Sequence, residues 1–234
     1  MEGLFRINCF FLSPSKNKFK SRYQVGIFGI SFEEKLEMGL REKAEQVKIV
    51  FDELREESVE FEIQGGLSCI SGCGQCCTKP TIPASALEFL PFAYDLYDRG
   101  LAESTMEMLN QPDNSDICIN YRPHSPDGKK GACGSYSTRG LICRLFAASA
   151  RKNRLNNKEI LICSPLKEQR SEKVKLASEK INSGELNIPL ATDFYGRITS
   201  IDESLSEEFS INKAIYRALE AVLREEFYLS QEEG

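Results

Sequence analysis

The sequence predicts a mainly α-helical fold with a small β-hairpin, a single domain built around an irregular cysteine-rich middle. Three observations lead there. Two long stretches carry apolar residues at helical spacing. Residues 110–137 show no period at all. Four of the nine cysteines, Cys69, Cys73, Cys76 and Cys77, crowd into nine residues. The expected layout is a poorly ordered extension over 1–30 and a domain over 31–230, with the cysteine-rich middle at 65–165. At 234 residues and 41% hydrophobic content, the chain can bury one substantial core.

Residues 1–30 mix basic, aromatic and turn residues without a period, and Met38 is a candidate alternative start, which leaves open whether residues 1–37 belong to the native protein. From Ser31 to Ser58 the positions Leu36, Leu40, Ala44, Val47, Val50, Phe51 and Leu54 form a helical stripe, opened by a capping box of Ser31 and Glu34. Gly65 and Gly66 follow, then the cysteine cluster. A second helix is expected from Ser85, capped by Glu88 and closed by Gly100. Pro91 inside it predicts a kink or two shorter helices, because an interior proline costs about 3 kcal/mol. Leu141–Ala150 and Glu159–Cys163 are expected to pair as strands about a turn at Asn156 and Asn157. A last helix is expected from Ser204 to Leu229, with Leu205, Phe209, Ile215, Leu219, Val222, Leu223 and Phe227 on one side.

Charge and hydropathy narrow the function classes. A net charge of -5 without a long Lys/Arg block argues against nucleic acid as a partner, and the short tract Lys16, Lys18, Lys20 and Arg22 reads as solvated. No stretch approaches the roughly 20 apolar residues of a membrane span, so no membrane partner is expected. Glu2 and Arg6 interrupt the N-terminal apolar run, which argues against a secretory signal and for a cytoplasmic location. In a reducing compartment, clustered cysteines are more readily ligands than crosslinks.

The cysteine spacing then points to a thiolate metal site. Gly72 and Gly74 flank Cys73 and permit the tight turns by which a two-residue gap brings Cys73 and Cys76 to one metal. Cys118, Cys133, Cys143 and Cys163 form a second group, and eight thiols match two four-thiolate sites or one polynuclear centre. Adjacent Cys76 and Cys77 would project differently from an extended backbone, so they are read as serving different metals or two sides of one centre. The eight-thiol total slightly favours an iron-sulfur centre over a single structural zinc. Cys163, within Leu161-Ile162-Cys163, reads equally well as a buried small hydrophobe. Cys9 belongs to neither group, and His124, in a polar proline-containing loop, reads as solvated more readily than as a ligand. Arg144 follows Cys143 directly and would offset thiolate charge, with Arg139 a second candidate of the same kind.

These residues carry a resemblance. The run Cys73-Gly74-Gln75-Cys76-Cys77, preceded by Cys69 and followed by Glu88 in a helix, resembles the YkgJ family of cysteine-cluster proteins, described as zinc- or iron-chelating domains with a CxxCxxCC signature. Cys118, Cys133 with Tyr136 three residues on, Arg139 and the pair Cys143-Arg144 resemble that family's later block. The resemblance implies Cys69, Cys73, Cys76, Cys77, Cys118, Cys133 and Cys143 as ligands, with Tyr136, Arg139 and Arg144 around them, and the eight-thiol count adds Cys163. It implies a structural or electron-transfer role. Two departures stand out: three residues rather than two separate Cys69 from Cys73, which loosens Cys69 as a ligand, and Gly140 replaces the family's proline, read as a change in loop stiffness.

Two other readings stay open. Cys69-x3-Cys73-x2-Cys76 has the spacing of the radical S-adenosylmethionine motif, and flagellin lysine methylases carry a similar cysteine signature, either of which would bring S-adenosylmethionine as cofactor. Gln75 stands where that motif has an aromatic, and the chain lacks strand-helix alternation and a glycine-rich nucleotide loop. Thiol redox chemistry at Cys73-x2-Cys76 is the other, although Pro80 and Pro83 fall where a thioredoxin-like helix would run. Whether the protein is an enzyme, and what redox or substrate partner it meets, the residues leave undecided.

Overall fold

The fold is described from a computed structural model, over residues 38–70, 72–79, 82–111, 117–128 and 130–232. The expectations for the N-terminal extension, Cys9, the basic tract and the Ser31-Glu34 box lie outside these residues. The first helix described, α1, runs Leu40–Gly65 and buries Ala44, Val47, Val50, Phe51, Leu54 and Phe61. The predicted stripe is thus correct from Ala44 to Leu54, with Leu36 outside the described residues; the helix begins at Leu40, behind non-helical Met38 and Gly39, and continues seven residues past Ser58.

The second helical region divides as Pro91 predicted. Strand β1 (Pro83–Ser85) leads into a 3-10 turn at Leu87–Phe89 and then α2 (Leu90–Asp98), which places Pro91 in the first turn, where its missing N–H costs nothing. The Ser85-Glu88 capping box forms: Glu88 Oε1 accepts from the Ser85 amide at 2.7 Å, and the Glu88 amide donates to Ser85 Oγ at 3.4 Å. A short helix α3 (Ala102–Leu109) follows.

Among its described residues, the stretch without period holds β2 (Tyr121–Pro123) and β3 (Gly131–Cys133), an antiparallel pair in which Tyr121 faces Cys133. The predicted strand Leu141–Ala150 is corrected in part. Leu141–Leu145 is a helical turn, α4, and only Ala150–Lys152 is strand, β4, paired with β5 (Lys158–Ile160) about the expected asparagine turn. Asn156 there takes φ 64°, the left-handed conformation asparagine tolerates best among non-glycine residues. Next come α5 (Ser164–Gln169), α6 (Ser171–Ser183) and α7 (Ala191–Ile201), for which the sequence suggested no element. The last helix, α8, runs Ile211–Glu232, seven residues later than expected, because Glu208–Ser210 is a strand, β6, paired with β1.

Helices α1, α2, α7 and α8 enclose the main core, with Phe194, Ile198, Ala214, Ile215, Ala218 and Leu219 buried against the α1 stripe. A smaller core gathers Phe61, Leu67, Ala150, Ala177, Ile181 and Leu186. Glu225 on α8 ties three helices, accepting from the Leu40 amide at 2.8 Å and from the Tyr94 hydroxyl at 2.7 Å. Among the described residues, no helix is long and apolar enough to cross a membrane.

Among the described residues, Glu88 is the one buried carboxylate. Its Oε2 accepts from the Ile142 amide at 3.0 Å, so it joins β1 to the start of α4. Burial pushes its carboxyl up from 4.5 to about 7, against the pull of the Ser85 and Ile142 amides. The folded chain therefore keeps this proton to about pH 7, while the unfolded chain loses it near 4.5. Stability is full below the lower value and falls as pH rises through the higher, by about 3 kcal/mol at 1.36 kcal/mol per pH unit. Glu88→Gln is expected to flatten this fall: urea unfolding from pH 4.5 to 8 should show the variant losing about 3 kcal/mol less than the parent over that range.

Candidate metal centre

The candidate centre is built on Cys77. Its amide donates to the Gly74 carbonyl at 2.9 Å, and its carbonyl accepts from the Cys118 amide at 2.8 Å, which clasps the first cysteine loop to the second. Side chains follow the backbone: the thiols of Cys76, Cys118 and Cys133 are close enough to that of Cys77 to shift its hold on its proton. Four thiols from three segments thus act on one another around one buried sulfur. As placed, no group of three or more Cys, His, Asp or Glu side chains among the described residues is arranged to hold a metal ion.

The protons in this group are unevenly held. Hydrogen bonding with Cys77 pulls Cys76 down from 9 to about 7 and Cys133 to about 6, against burial, and lowers Cys118 as well. Cys77, the shared donor, is correspondingly pushed up. Two further amides serve the sulfurs: Asn120 N–H supports the Cys118 thiolate, and Ser135 N–H supports that of Cys133. Amides two residues beyond a cysteine, aimed at its sulfur, stabilise the ionised form that a metal requires. The donor chemistry and its partial ionisation therefore suit a thiolate-bound metal, for which the side chains as placed would have to close in.

Several residues hold these loops in place. Asn212, at the start of α8, accepts from the Ile119 amide and donates to the Ile117 carbonyl, both at 2.9 Å, and so fixes the backbone on either side of Cys118. The Tyr121 ring lies against Gly74 and Gly131, and its hydroxyl donates to the Gly128 carbonyl at 2.7 Å. Asn212 was not legible as a positioning residue; an asparagine at a helix start reads first as a cap.

The other predicted site residues lie around this group. Cys143 is largely buried, and burial raises its thiol, with Cys76 and Cys118 close enough to add to the effect. Cys69 is exposed as a residue, though its thiol is crowded enough to be raised by burial and then by Cys76 and Cys163. Cys73 and Cys163 are half-buried, and all eight described cysteines are free thiols. Exposed His124 stands at the β2–β3 turn, its amide bonded to the Lys130 carbonyl at 2.8 Å. Arg139 stacks over the Tyr136 ring at 4.0 Å and exerts its charge on Cys69, Cys76, Cys133 and Cys143. Arg144 stacks on Phe51 at 4.2 Å and donates to the Arg139 and Ser137 carbonyls. Burial, then Arg139, pushes its guanidinium down to about 10.

Residues 68–174 match the family model CxxCxxCC, whose description reads "Putative zinc- or iron-chelating domain". The matched stretch, a little under half of the chain, is similar to this family, the YkgJ type. The matched CxxCxxCC segment holds all eight described cysteines, and metal binding is the activity its description carries. No curated protein and no solved structure matches the chain. Gly140, where the resemblance implied proline, is more than a change in stiffness. A Cβ there would lie 2.8 Å from Glu88 Oε2 and 2.8 Å from Phe89 Cζ, so the close approach of the buried carboxylate accounts for the glycine.

Gly74 is the most constrained position of the CxxCxxCC run. Its φ is 59°, and a Cβ would stand 2.4 Å from the Tyr121 ring and 2.8 Å from the Gly131 carbonyl oxygen. Gly74→Ala is expected to destabilise the fold by about 2–5 kcal/mol, from backbone strain and overpacking together. Thermal unfolding checks this. A fall in melting temperature no larger than that of Gly72→Ala, whose Cβ meets nothing, would sink the account.

Proposed function

We propose that the chain binds one zinc or iron ion through the thiolates of Cys76, Cys77, Cys118 and Cys133, and that this centre orders the irregular middle of the molecule. The observation that carries the reading is the electrostatic coupling of three thiols to Cys77. In a tetrahedral four-thiolate site with metal–sulfur bonds of about 2.3 Å, the sulfurs are about 3.8 Å apart. An iron-sulfur cluster puts its own irons and sulfides between the cysteines and spreads them. Coupling of four thiols about one sulfur therefore supports a single ion over the polynuclear centre that the eight-thiol total suggested.

When bound, the ion supplies the positive charge that the proton on Cys77 supplies in its absence. The residues' part is to present ionised sulfur: Cys76 and Cys133 are already ionising at neutral pH, and Cys118 and Cys133 each accept an amide N–H. Because β2 and β3 are three-residue strands, binding free energy here would act as folding free energy. The role is thus structural or metal-holding, in a reducing, cytoplasmic setting that keeps the thiols free.

The polynuclear reading retains one supporting observation: Cys69 and Cys143 both lie within electrostatic reach of Cys76, so further thiols surround the first four. The S-adenosylmethionine reading has less support. Of its three motif thiols, only Cys76 belongs to the group around Cys77.

Elemental analysis with acid-labile sulfide on anaerobically purified protein tests the proposal. One zinc or iron per chain without sulfide is expected; iron with matching sulfide would transfer the site to a cluster, and absence of metal would end both readings. Cys77→Ser should abolish stoichiometric metal and lower the melting temperature, whereas Cys163→Ala should keep both. Metal affinity is expected to rise with pH between 6 and 8, tenfold per pH unit for each proton displaced. It should fall in acid as Cys133 and Cys76 protonate near about 6 and about 7. Competition with a chromogenic chelator measures the slope, and a pH-independent affinity would count against thiolate ligation.

A further inference from the structure

Beside the thiol group, between α1 and the loop before α4, lies a cavity of about 180 Å³. At roughly 30 Å³ per water it offers room for about six waters, enough for a small molecule and too little for a folded partner. Three arginines line it, Arg55, Arg139 and Arg144, against one acid, Glu62. Glu62 is 3.5 Å from Arg55 at the rim. Arg139 and Arg144 have no carboxylate within 4 Å among the described residues.

Two features show cations held in place for something else. Arg139 Nε is buried and, among the described residues, has no hydrogen-bond partner. A buried N–H left unpaired costs about 1–3 kcal/mol, more when the group is charged. Arg144 is fixed by its bonds to the Arg139 and Ser137 carbonyls and by stacking on Phe51, so the two guanidiniums stay close despite their repulsion. The remaining wall mixes the apolar Phe51, Leu54 and Phe146 with the polar Ser58, Ser68 and Tyr136. Fixed guanidinium forks next to apolar side chains match an oxyanion on an apolar body, since guanidinium pairs with carboxylate or phosphate through parallel N–H donors.

We propose that this cavity binds a small organic oxyanion, a carboxylate or a phosphate ester, with its charged head on Arg139 and Arg144 and its apolar part against Phe51, Leu54 and Phe146. Arg139 is a binding residue whose terminal N–H groups donate to the head group. Arg55, exposed at the mouth, adds attraction. The site stands on the arginines and does not depend on which metal the thiols hold.

Calorimetric titration of the full-length, metal-loaded protein tests this with benzoate and phenyl phosphate as probes and benzyl alcohol as the uncharged control. Saturable one-to-one binding of at least one anion is expected, with none of the alcohol, and the tighter anion identifies the head group. Arg139→Met should weaken it tenfold to a hundredfold, as loss of a charge-assisted pair does, and Arg139→Lys should restore only part. Arg55→Glu, at a side chain 61% exposed, leaves the fold intact and should weaken binding several-fold, which decides the matter if Arg139→Met fails to fold or loses its metal. Failure of both anions to bind, equal binding of benzyl alcohol, or undiminished binding by Arg55→Glu would overturn the inference. Metal content of the same samples is measured separately, so an empty thiol site and an empty cavity are told apart.

Discussion

The structure depends on keeping sulfur charge tolerable in a buried place. Cys77 sits where the first cysteine loop meets the second, bonded through its carbonyl to the Cys118 amide, with three other thiols close to its own. Burial alone would raise every thiol there. Hydrogen bonding with Cys77 reverses that for Cys76, Cys118 and Cys133, at the cost of holding the Cys77 proton more firmly. A group sharing protons in this way is poised for exchange: a cation replaces the proton and neutralises more charge at the same point.

The helices supply the rigidity that these loops lack. Short strands such as β2 and β3 are marginal alone, and the backbone between them has few regular hydrogen bonds. Polar struts from the helical framework compensate. Asn212 reaches from α8 to both sides of Cys118, and Glu88 holds the start of α4, the turn that carries Cys143. Glu88 has its own cost, because a buried carboxylate between two amides is comfortable only while protonated or well bonded. Gly140 belongs to the same arrangement, since any side chain there would displace the carboxylate.

Much of the framework was legible in the sequence because it rests on local pattern. The α1 stripe, the break at Pro91, the Ser85-Glu88 box and the asparagine turn each depend on residues a few positions apart. Leu141–Leu145 was misread as strand because a short apolar run has no period to separate strand from buried helix. Helix α6 escaped notice since it buries only Ala177 and Ile181, too narrow a stripe to register. The cysteine density announced a site, and the resemblance covered 65–165 against the matched 68–174. Which thiols meet was not legible: Cys77 and Cys118 are joined by a fold-level clasp that spacing does not encode.

Arginine placement shows why the charge of the centre and the charge of the cavity belong to one electrostatic problem. Four thiolates around a divalent ion leave a net charge of about -2, which a low-dielectric surrounding does not tolerate without a counter-charge. Arg139 is positioned to provide it, since its field already lowers Cys76 and Cys133. Its guanidinium nevertheless stacks on Tyr136 and leaves Nε unpaired, so the cation is shared between the sulfurs and the cavity rather than consumed by either. Arg144 is fixed differently: its Nε and one terminal nitrogen bond the Arg139 and Ser137 carbonyls, which leaves its other terminal N–H groups for the cavity. One guanidinium with two claims on it makes the thiol centre and the cavity neighbours in energy as well as in space.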